Sequence, residues 1–488
     1  MMRSFLIGLV ALFFLSSVRA ADPVPADAGA TKKVSYFKDV RPLFQQHCLG
    51  CHQPAKAMGG YQMTTYADLL KKSDRDKPGV VPSHPEQSFL LEEIHLVNGK
   101  AEMPKNREPL APFQIQLVRD WITQGAIDDT PKSTAVPVDA GHPPTYQAAP
   151  VITALAYSPD STLLAVSGYH EVLLHKADGS GLVARLIGLS ERVQNIAFSP
   201  DGKLLAVSGG SPGRFGEVQI WDVAKQKLKQ SIPVTFDTIY GISWSHDGTK
   251  LAFGCGDNTL RAIDANTGQQ ILFQGAHSDW VLATTFSVDS SYVVSVSRDR
   301  SMKLTEVATQ RFIDNVTSIT PGALKGGLST VDRRPQKTSK MSAVPPDAPG
   351  TPPKPYDELL IGGSDGVPRL YKMHREAKRV IGDDANKVRE YAALPGRIYS
   401  AVFNADGSLF VVGSSLDGQG QVRVYQTDDA KLVSTFEQLP TAIYATAFRP
   451  DNKMAASGGF DGMVRLHDPM TGKLITAFQP APLTPTPK

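Results

Sequence analysis

The spacing of apolar residues changes along the chain between residues 130 and 150. Before the change, apolar side chains recur every three or four residues, which is the spacing of one face of an α-helix. This pattern predicts four helices, over residues 34–44, 66–70, 88–97 and 112–124. After the change, apolar and polar residues alternate, as they do along half-buried β-strands. The sequence therefore predicts a small helical domain followed by a larger β domain.

The β part is built from a repeated unit of about 40 residues, a period typical of a propeller array. Each unit has an apolar strand, a turn ending in aspartate, a second apolar strand ending in small residues, and a third strand. Six copies are clear, with turns that begin at Ser158, Ser199, Ser245, Ser287, Asn404 and Arg449. A seventh is inferred between residues 324 and 383, where a proline-rich insertion, 332–356, divides it. We expect this insertion to form a long mobile loop on one face.

These units resemble WD40 repeats. One true Trp-Asp pair is present, Trp221-Asp222, and Ala276-His277 stands in the position of the Gly-His pair. Ile263-Asp264 and His467-Asp468 are altered versions of Trp-Asp. The resemblance implies an all-β, seven-bladed propeller in which most blades lack the hydrogen-bonded tetrad that stiffens many WD40 blades. How the ring closes is left open, with residues 146–150 as a candidate clasp.

No catalytic residues are assigned in the β part, because no nucleophile, acid pair or metal cluster has an informative spacing. Cys255 lies in an apolar run and is expected to be a buried, unreactive thiol. Aspartates that follow the second strands are expected to accept hydrogen bonds from backbone N–H groups of their own turns. They are Asp257, Asp299, Asp365 and Asp461.

The first twenty residues have the pattern of a secretory signal peptide. Arg3 precedes an apolar core, and Val18-Arg19-Ala20 forms a small-residue cleavage site. We expect an exported chain, periplasmic or extracellular, without an integral membrane segment in its mature form. The net charge of +3 on 488 residues gives no support for nucleic-acid binding.

A Cys-x-x-Cys-His motif, formed by Cys48, Cys51 and His52, is the attachment signature of a c-type haem. The two thiols can add to the haem vinyl groups, and the histidine can bind the iron from the proximal side. A zinc site, a thioredoxin-like motif or a disulfide could also use such a pair. A zinc site would need further ligands, and the only other cysteine is the distant Cys255. The motif therefore favours one covalent haem c.

The second axial ligand is predicted to be a methionine, because a thioether raises the potential into the range used for electron transfer. Met103, followed by Pro104, lies well beyond the motif and is the best candidate. Alternatives remain open: two methionines soon after the motif and two histidines further along. They are Met58, Met63, His84 and His95.

An ordered series of motifs over residues 33–129 resembles the planctomycete-type cytochrome c domain. The series comprises Phe37–Leu43, Cys48–Pro54, Gly59-Gly60, Pro82–Leu90, Met103-Pro104 and Trp121–Ala126. The resemblance implies an all-α domain with covalent haem c, His52 as proximal ligand and Met103 as distal ligand. Two departures from the family pattern, Ser83 and Lys105, do not involve these ligands.

The sequence thus predicts a multidomain protein, a small all-α cytochrome c domain followed by an all-β propeller. The expected boundaries are a signal peptide 1–20, a haem domain 33–129, a linker 130–150, a propeller 151–480 and a tail 481–488. We interpret it as an electron carrier rather than an enzyme, with the propeller docking a redox partner or other proteins. An oxidoreductase with a propeller active site, or a haem redox sensor on a protein-binding scaffold, are the alternatives.

Overall fold

A computed structural model describes most of the chain after residue 32. The described residues are 33–53, 56–105, 107–130, 138–320, 323–335, 340–341, 355–376, 378, 380, 382–437 and 439–484. The predicted signal peptide and most of the proline-rich insertion lie outside the described residues, as do parts of the linker and the tail.

The described residues of 33–130, called the helical segment below, contain short helices and one hairpin. A π-helix, Tyr36–Val40, leads directly into the first α-helix, and single 3-10 turns occupy Met58–Gly60 and Pro85–Gln87. The α-helices are α1 (Arg41–His47), α2 (Tyr66–Leu69), α3 (Phe89–Glu93) and α4 (Pro112–Thr123). Strands β1 (His52–Gln53) and β2 (Lys56–Ala57) pair directly after the cysteine motif. The segment is therefore mainly helical, and the hairpin is a feature that the expected all-α domain did not include.

Local sequence signals explain where these helices begin and end. The Thr65 hydroxyl accepts a hydrogen bond from the Asp68 N–H at 3.2 Å, and the Asp68 carboxylate accepts one from the Thr65 N–H at 3.3 Å. This reciprocal capping box starts α2. Pro112 occupies the first position of α4, where its missing N–H costs nothing. Gly125, at a φ of +97°, follows the end of α4 as predicted.

Trp121 lies at the centre of the helical segment. It is fully buried and stacks on Tyr36 with ring centroids 5.3 Å apart. Phe44 and Tyr66 meet its ring edge-on, and its indole N–H donates to the Ile127 carbonyl at 3.1 Å. One side chain of α4 thus joins the π-helix, α1, α2 and the residues after α4 into a single core.

The rest of the described chain forms antiparallel sheets, called the ring below. The first is a seven-stranded sheet of β3 (Leu155–Tyr157), β4 (Leu163–Ser167), β5 (Tyr169–Lys176), β6 (Leu182–Phe198), β7 (Leu204–Ser211), β8 (Phe215–Asp222) and β9 (Lys227–Thr235). Strand β6 pairs with β5 over its first half and with β7 over its second half. One long strand therefore serves as the last strand of the first repeat and the first strand of the second.

Five four-stranded sheets follow in chain order, each with neighbouring strands paired in sequence. Their strands are β10 (Ile239–Trp244), β11 (Lys250–Cys255), β12 (Leu260–Asp264), β13 (Gln270–Gln274); β14 (Val281–Phe286), β15 (Tyr292–Ser297), β16 (Met302–Glu306), β17 (Phe312–Asn315); β18 (Leu328–Arg333), β21 (Glu358–Gly363), β22 (Arg369–Lys372), β23 (Lys387–Glu390); β24 (Arg397–Phe403), β25 (Leu409–Leu416), β26 (Gln419–Gln426), β27 (Leu432–Thr435); and β28 (Ile443–Phe448), β29 (Ala455–Gly459), β30 (Val464–His467), β31 (Leu474–Phe478). A separate pair, β19 (Lys340–Met341) and β20 (Pro355–Tyr356), lies within the insertion.

The first strands of successive units contact one another, and the last of them, β28, contacts β3. At this junction the Ile152 N–H donates to the Gly459 carbonyl at 2.9 Å. Tyr146 also pairs in parallel with Leu483 in the C-terminal tail. The two ends of the ring are thus joined by backbone hydrogen bonds and packing, which answers the question of closure that the sequence left open.

The insertion begins later than predicted. Asp332 and Arg333 belong to β18 and pair with β21. Arg334 is buried, and its guanidinium bonds Glu358 at 2.6 Å and Asp428 at 2.9 Å. Placing residues 332 and 333 in a loop was therefore wrong, because both belong to a paired strand of the ring, and Arg334 follows them with its charge compensated by two carboxylates.

Asp332 provides a pH-dependent prediction. Burial raises the pKa of its carboxyl to about 6, although the Phe403 N–H, which donates to it at 2.8 Å, and the Arg333 charge favour ionisation. The folded-state pKa exceeds the ordinary 3.8, so the folded protein holds the proton of Asp332 more tightly than the unfolded chain does. This preference contributes to the free energy of unfolding below pH 4, and the contribution is lost as the pH rises through 6.

We therefore expect Asp332→Asn to raise the free energy of unfolding by about 1–2 kcal/mol at pH 7.5, with most of the gain absent at pH 4. Urea unfolding of the wild type and the variant at both pH values measures this change in the free energy of unfolding. An equal change at the two values would contradict the assignment.

Among the described residues, no helix has both the length and the apolar character needed to cross a membrane.

Candidate haem site and the adjoining face of the ring

The cysteine motif forms a tight turn at the end of α1. The Cys48 N–H donates to the Phe44 carbonyl at 2.8 Å, and the N–H groups of Cys51 and His52 both donate to the Cys48 carbonyl at 3.1 Å. Both thiols are free, so no disulfide joins them. The turn places all three side chains of the motif beside one cavity.

This cavity has a volume of about 280 Å³ and brings together all four predicted site residues, Cys48, Cys51, His52 and Met103. Most of its wall is apolar. Phe89, Leu90, Ile94 and Tyr61 contribute to this wall. Of the alternative ligands, Met58 and Met63 line it, whereas His84 and His95 are exposed and are not among its lining residues. The geometry thus narrows the distal candidates to three methionines.

His52 is oriented by a residue that the sequence did not single out. Its Nδ1 lies 3.0 Å from the Tyr61 carbonyl oxygen, which places the ring proton on Nδ1 and leaves the lone pair on Nε2. The Tyr61 hydroxyl in turn donates to the Leu69 carbonyl at 2.8 Å. Gly79 makes room for this ring, because a Cβ there would lie 1.8 Å from the Tyr61 hydroxyl oxygen. Such an arrangement suits a histidine that binds a metal through Nε2.

Met103 reaches the cavity from a different part of the chain than the motif. Its N–H donates to the Glu93 carbonyl at 2.9 Å, which fixes it to the end of α3, and its side chain packs on the core. The Met63 N–H instead donates to the His52 carbonyl at 2.9 Å, so this methionine sits next to the motif itself. Met58 is about half exposed, at 47%. Met103 is therefore the best-placed distal candidate.

The described residues give no support for a zinc site, because no group of three or more His, Cys, Asp or Glu side chains among them could hold a metal ion. Burial raises the pKa of the Cys48 thiol to about 12, and the neighbouring Cys51 adds to the effect. A thiol with this pKa is protonated at neutral pH as long as no metal is bound to it. Cationic side chains, Arg75, Lys105 and Arg107, are also among the residues that line the cavity.

The motif packs directly against the ring. Both α1 and β2 contact β9, and Leu189 of β6 packs on the core of the helical segment. Gly50, inside the motif, lies so close to β9 that a Cβ would be 2.3 Å from the Ser231 carbonyl oxygen. The candidate cofactor site and the second unit of the ring therefore share an interface.

A channel of about 740 Å³ runs through the centre of the ring, lined by the first strands of all the repeat units. Hydroxyl groups line much of it and pair across neighbouring strands, as Ser243 does with Thr284 at 2.9 Å and Thr446 with Ser400 at 2.9 Å. Cys255 is fully buried beside β10, and burial raises the pKa of its thiol to about 12, as expected for an unreactive cysteine.

The aspartates after the second strands do accept hydrogen bonds from backbone N–H groups two residues later. Most also form an ion pair with the arginine four residues on, as Asp257 does with Arg261 at 2.6 Å. Asp299 instead bonds His277 at 2.9 Å, and the other nitrogen of His277 bonds Ser295 at 2.8 Å. Burial alone would raise the pKa of Asp299, but the bonds from His277 and Ser301 hold it below its ordinary value. This sheet thus retains a buried polar network despite the altered Gly-His pair.

Charged residues that the sequence did not single out meet at one end of the channel. Arg298, Arg300, Lys325 and Arg397 line an opening of about 650 Å³, called the mouth below. Each belongs to a turn, a connection or a strand end, and they come from three repeat units. No short motif joins them, so no sequence signal could have grouped them.

Family comparisons match both parts of the chain. A model described as planctomycete cytochrome C matches residues 48–107, which include the motif and Met103. A model described as WD domain, G-beta repeat matches residues 226–264, 268–305 and 430–468.

Several curated WD-repeat proteins are similar to this chain over short segments. A WD repeat-containing protein 91 homolog from Dictyostelium discoideum is 33% identical over 84 residues, 17% of this chain and 11% of that protein. WD repeat and SOCS box-containing protein 1 from Mus musculus is 30% identical over 91 residues, 18% of this chain and 22% of that protein. The protein of the same name from Danio rerio is also 30% identical over 91 residues, with the same shares of the two chains. The chain therefore spans a minor part of each relative's length, and it joins a planctomycete cytochrome C segment to WD repeats.

Proposed function

We propose that this protein is a c-type cytochrome that transfers electrons through one haem, attached to Cys48 and Cys51 and ligated by His52 and Met103. One observation carries the proposal: these four side chains, from two distant parts of the sequence, line the same largely apolar cavity. Haem bound there would supply reversible one-electron chemistry, and histidine with methionine would keep its potential high.

The residues around the cavity fit this role. The Tyr61 carbonyl binds Nδ1 of His52, which makes Nε2 the nitrogen that would bind the iron. The apolar wall excludes water, which favours the less charged reduced state of an iron centre. Lys105 and Arg107 provide positive charge for the haem propionates, whereas Arg75 is paired with Glu93 at 3.2 Å.

We further propose that the ring is a seven-bladed propeller that serves as a docking scaffold. The long strand β6 divides into the last strand of one blade and the first strand of the next, so the seven-stranded sheet corresponds to two blades. Together with the five four-stranded sheets, this accounts for all seven repeats. The domain limits 33–129 and 151–480 follow from the same interpretation.

Function outside the cytoplasm is part of the proposal. It is supported by the basic, apolar and small-residue pattern of residues 1–20. Export also agrees with covalent haem attachment through two cysteines.

The proposal is tested by the absorption spectrum and potential of the exported, full-length protein. We expect a c-type haem with a methionine-to-ferric-iron charge-transfer band. Met103→Ala is expected to remove this band and to lower the potential by on the order of 100 mV. Met58→Ala, at an exposed methionine of the same cavity, is the matched control and should leave both unchanged.

Cys51→Ser is expected to abolish two-point attachment and to leave less haem after denaturing extraction. A colourless wild-type protein, made with intact maturation machinery, would overturn the proposal. High-spin iron that binds small ligands would favour an enzyme instead. Retention of the band in Met103→Ala would reject Met103 as the distal ligand.

A further inference from the structure

The mouth of the ring carries a strong excess of positive charge. Its cationic lining residues are Arg298, Arg300, Lys325 and Arg397. The only acidic residue among the described residues that line it is Asp279, which lies 3.5 Å from Arg298. Within the described part of the chain, no ion pair involves the other three cations. At least three positive charges are therefore uncompensated around one opening.

Aromatic rings hold two of these cations in place. The Arg298 guanidinium lies 4.6 Å from the Trp280 ring centre, and Trp280 stacks on Tyr240 at 5.5 Å. The Arg397 guanidinium lies 5.9 Å from the Tyr399 ring, which meets Tyr444 edge-on at 5.0 Å. Stacking limits the freedom of long arginine side chains, so less entropy is lost when they bind an anion.

The mouth lies on the same face of the ring as the helical segment. Each repeat unit is an antiparallel run of four strands, with β6 shared by the first two units, so turns between second and third strands lie on the same face as the connections between units. Arg300 is in the β15–β16 turn, and Lys325 and Arg397 adjoin the connections that lead into β18 and β24. The helical segment and the ring enclose a crevice between them. On the side of the ring, this crevice is lined by residues of turns between second and third strands, such as Arg214 between β7 and β8. A molecule seated at the mouth would therefore lie on the same face of the ring as the helical segment.

We propose that the mouth docks an acidic segment of a partner protein, one in which several Asp or Glu side chains follow one another. The cations sit on separate elements around the opening, so a ligand must present several negative groups spaced along its length to meet them all. A phosphate ion or a small carboxylate would meet only part of the set. That this partner exchanges electrons with the haem rests on the proposed function, whereas the docking itself does not.

The test measures binding of a fluorescein-labelled hexaglutamate peptide to the full-length protein by fluorescence anisotropy. We expect binding at low ionic strength that weakens as salt is added. The triple variant Arg300→Gln, Lys325→Gln, Arg397→Gln should raise the Kd by roughly tenfold or more.

A matched control removes the same charge from the opposite face. Lys431, Lys453 and Lys473 are exposed in turns between first and second or third and fourth strands. The triple variant Lys431→Gln, Lys453→Gln, Lys473→Gln should leave the Kd within about twofold of wild type. Circular dichroism of both variants checks that the ring is folded.

Three results would overturn the proposal: no binding by the wild type at low ionic strength, equal weakening in both triple variants, or displacement of the peptide by citrate at an equal concentration. The last result would assign the mouth to small carboxylates. Because anisotropy does not depend on haem, a colourless protein that still binds the peptide would reject the haem proposal and leave this one intact.

Discussion

Trp121→Ala is expected to unfold the helical segment while the ring stays folded. Trp121 is fully buried, and removal of a side chain of this size from a core costs about 3–5 kcal/mol. The loss includes the stack on Tyr36, the edge contacts with Phe44 and Tyr66, and the hydrogen bond to Ile127. Because a small helical core has a low free energy of unfolding, this cost approaches the whole free energy of unfolding of the helical segment.

Hydrogen exchange of backbone amides measures the loss of stability separately in the helical segment and in the ring. A single unfolding curve of a multidomain protein would not separate the two. We expect faster exchange throughout α1 and α4 and unchanged exchange in β10 to β31. Phe113→Ala is the matched control, since Phe113 lies on the same helix but is 73% exposed. Equal exchange in the two variants would show that Trp121 does not organise this core.

Gly50→Ala is expected to separate the cysteine motif from the ring. A Cβ at this position would lie 2.3 Å from the Ser231 carbonyl oxygen and 3.1 Å from the Pro233 ring. Neither group is the end of a flexible side chain, so the motif or β9 must move. Overpacking of this kind costs about 1–3 kcal/mol, and the contacts of α1 with β9 and of Leu189 with the helical core weaken with it.

The measurement is hydrogen exchange in β9 together with limited proteolysis after residue 130. We expect faster exchange in β9 and faster cleavage between the two parts. Gly181→Ala is the control, because nothing lies within 4 Å of a Cβ built there. If β9 exchanged at the wild-type rate in Gly50→Ala, the contact between motif and ring would be absent in solution.

The sequence predicted those features that depend on neighbouring residues. Helix α4 was expected over 112–124 and spans Pro112–Thr123, because its apolar face, its initial proline and Gly125 all act locally. The Cys48–His52 motif was recognisable because its residues lie within one turn. Met103 was selected by its position and by the family resemblance, and it does line the same cavity.

Features that depend on distant contacts could not be predicted. Nothing in the proline-rich composition after residue 332 shows that Arg334 is held by Glu358 and Asp428. In the sequence, Gly50 occupies one of the two variable positions of the motif. The need for glycine there comes from β9, which is distant in sequence and packs against it. The cations of the mouth are ordinary surface residues in sequence, and only the closed ring brings them to one opening.

The continuous strand β6 has a mechanical consequence. Near its middle, Leu189 supports the helical core, and six residues further on, Asn195 lines the mouth. Between these residues β6 changes its partner from β5 to β7, with a register shift on each side, so a displacement of Asn195 by a bound protein would reach Leu189 through an irregular part of the strand. If the proposed haem exchanges electrons with that protein, adjustments in this part of β6 would change the distance between donor and acceptor.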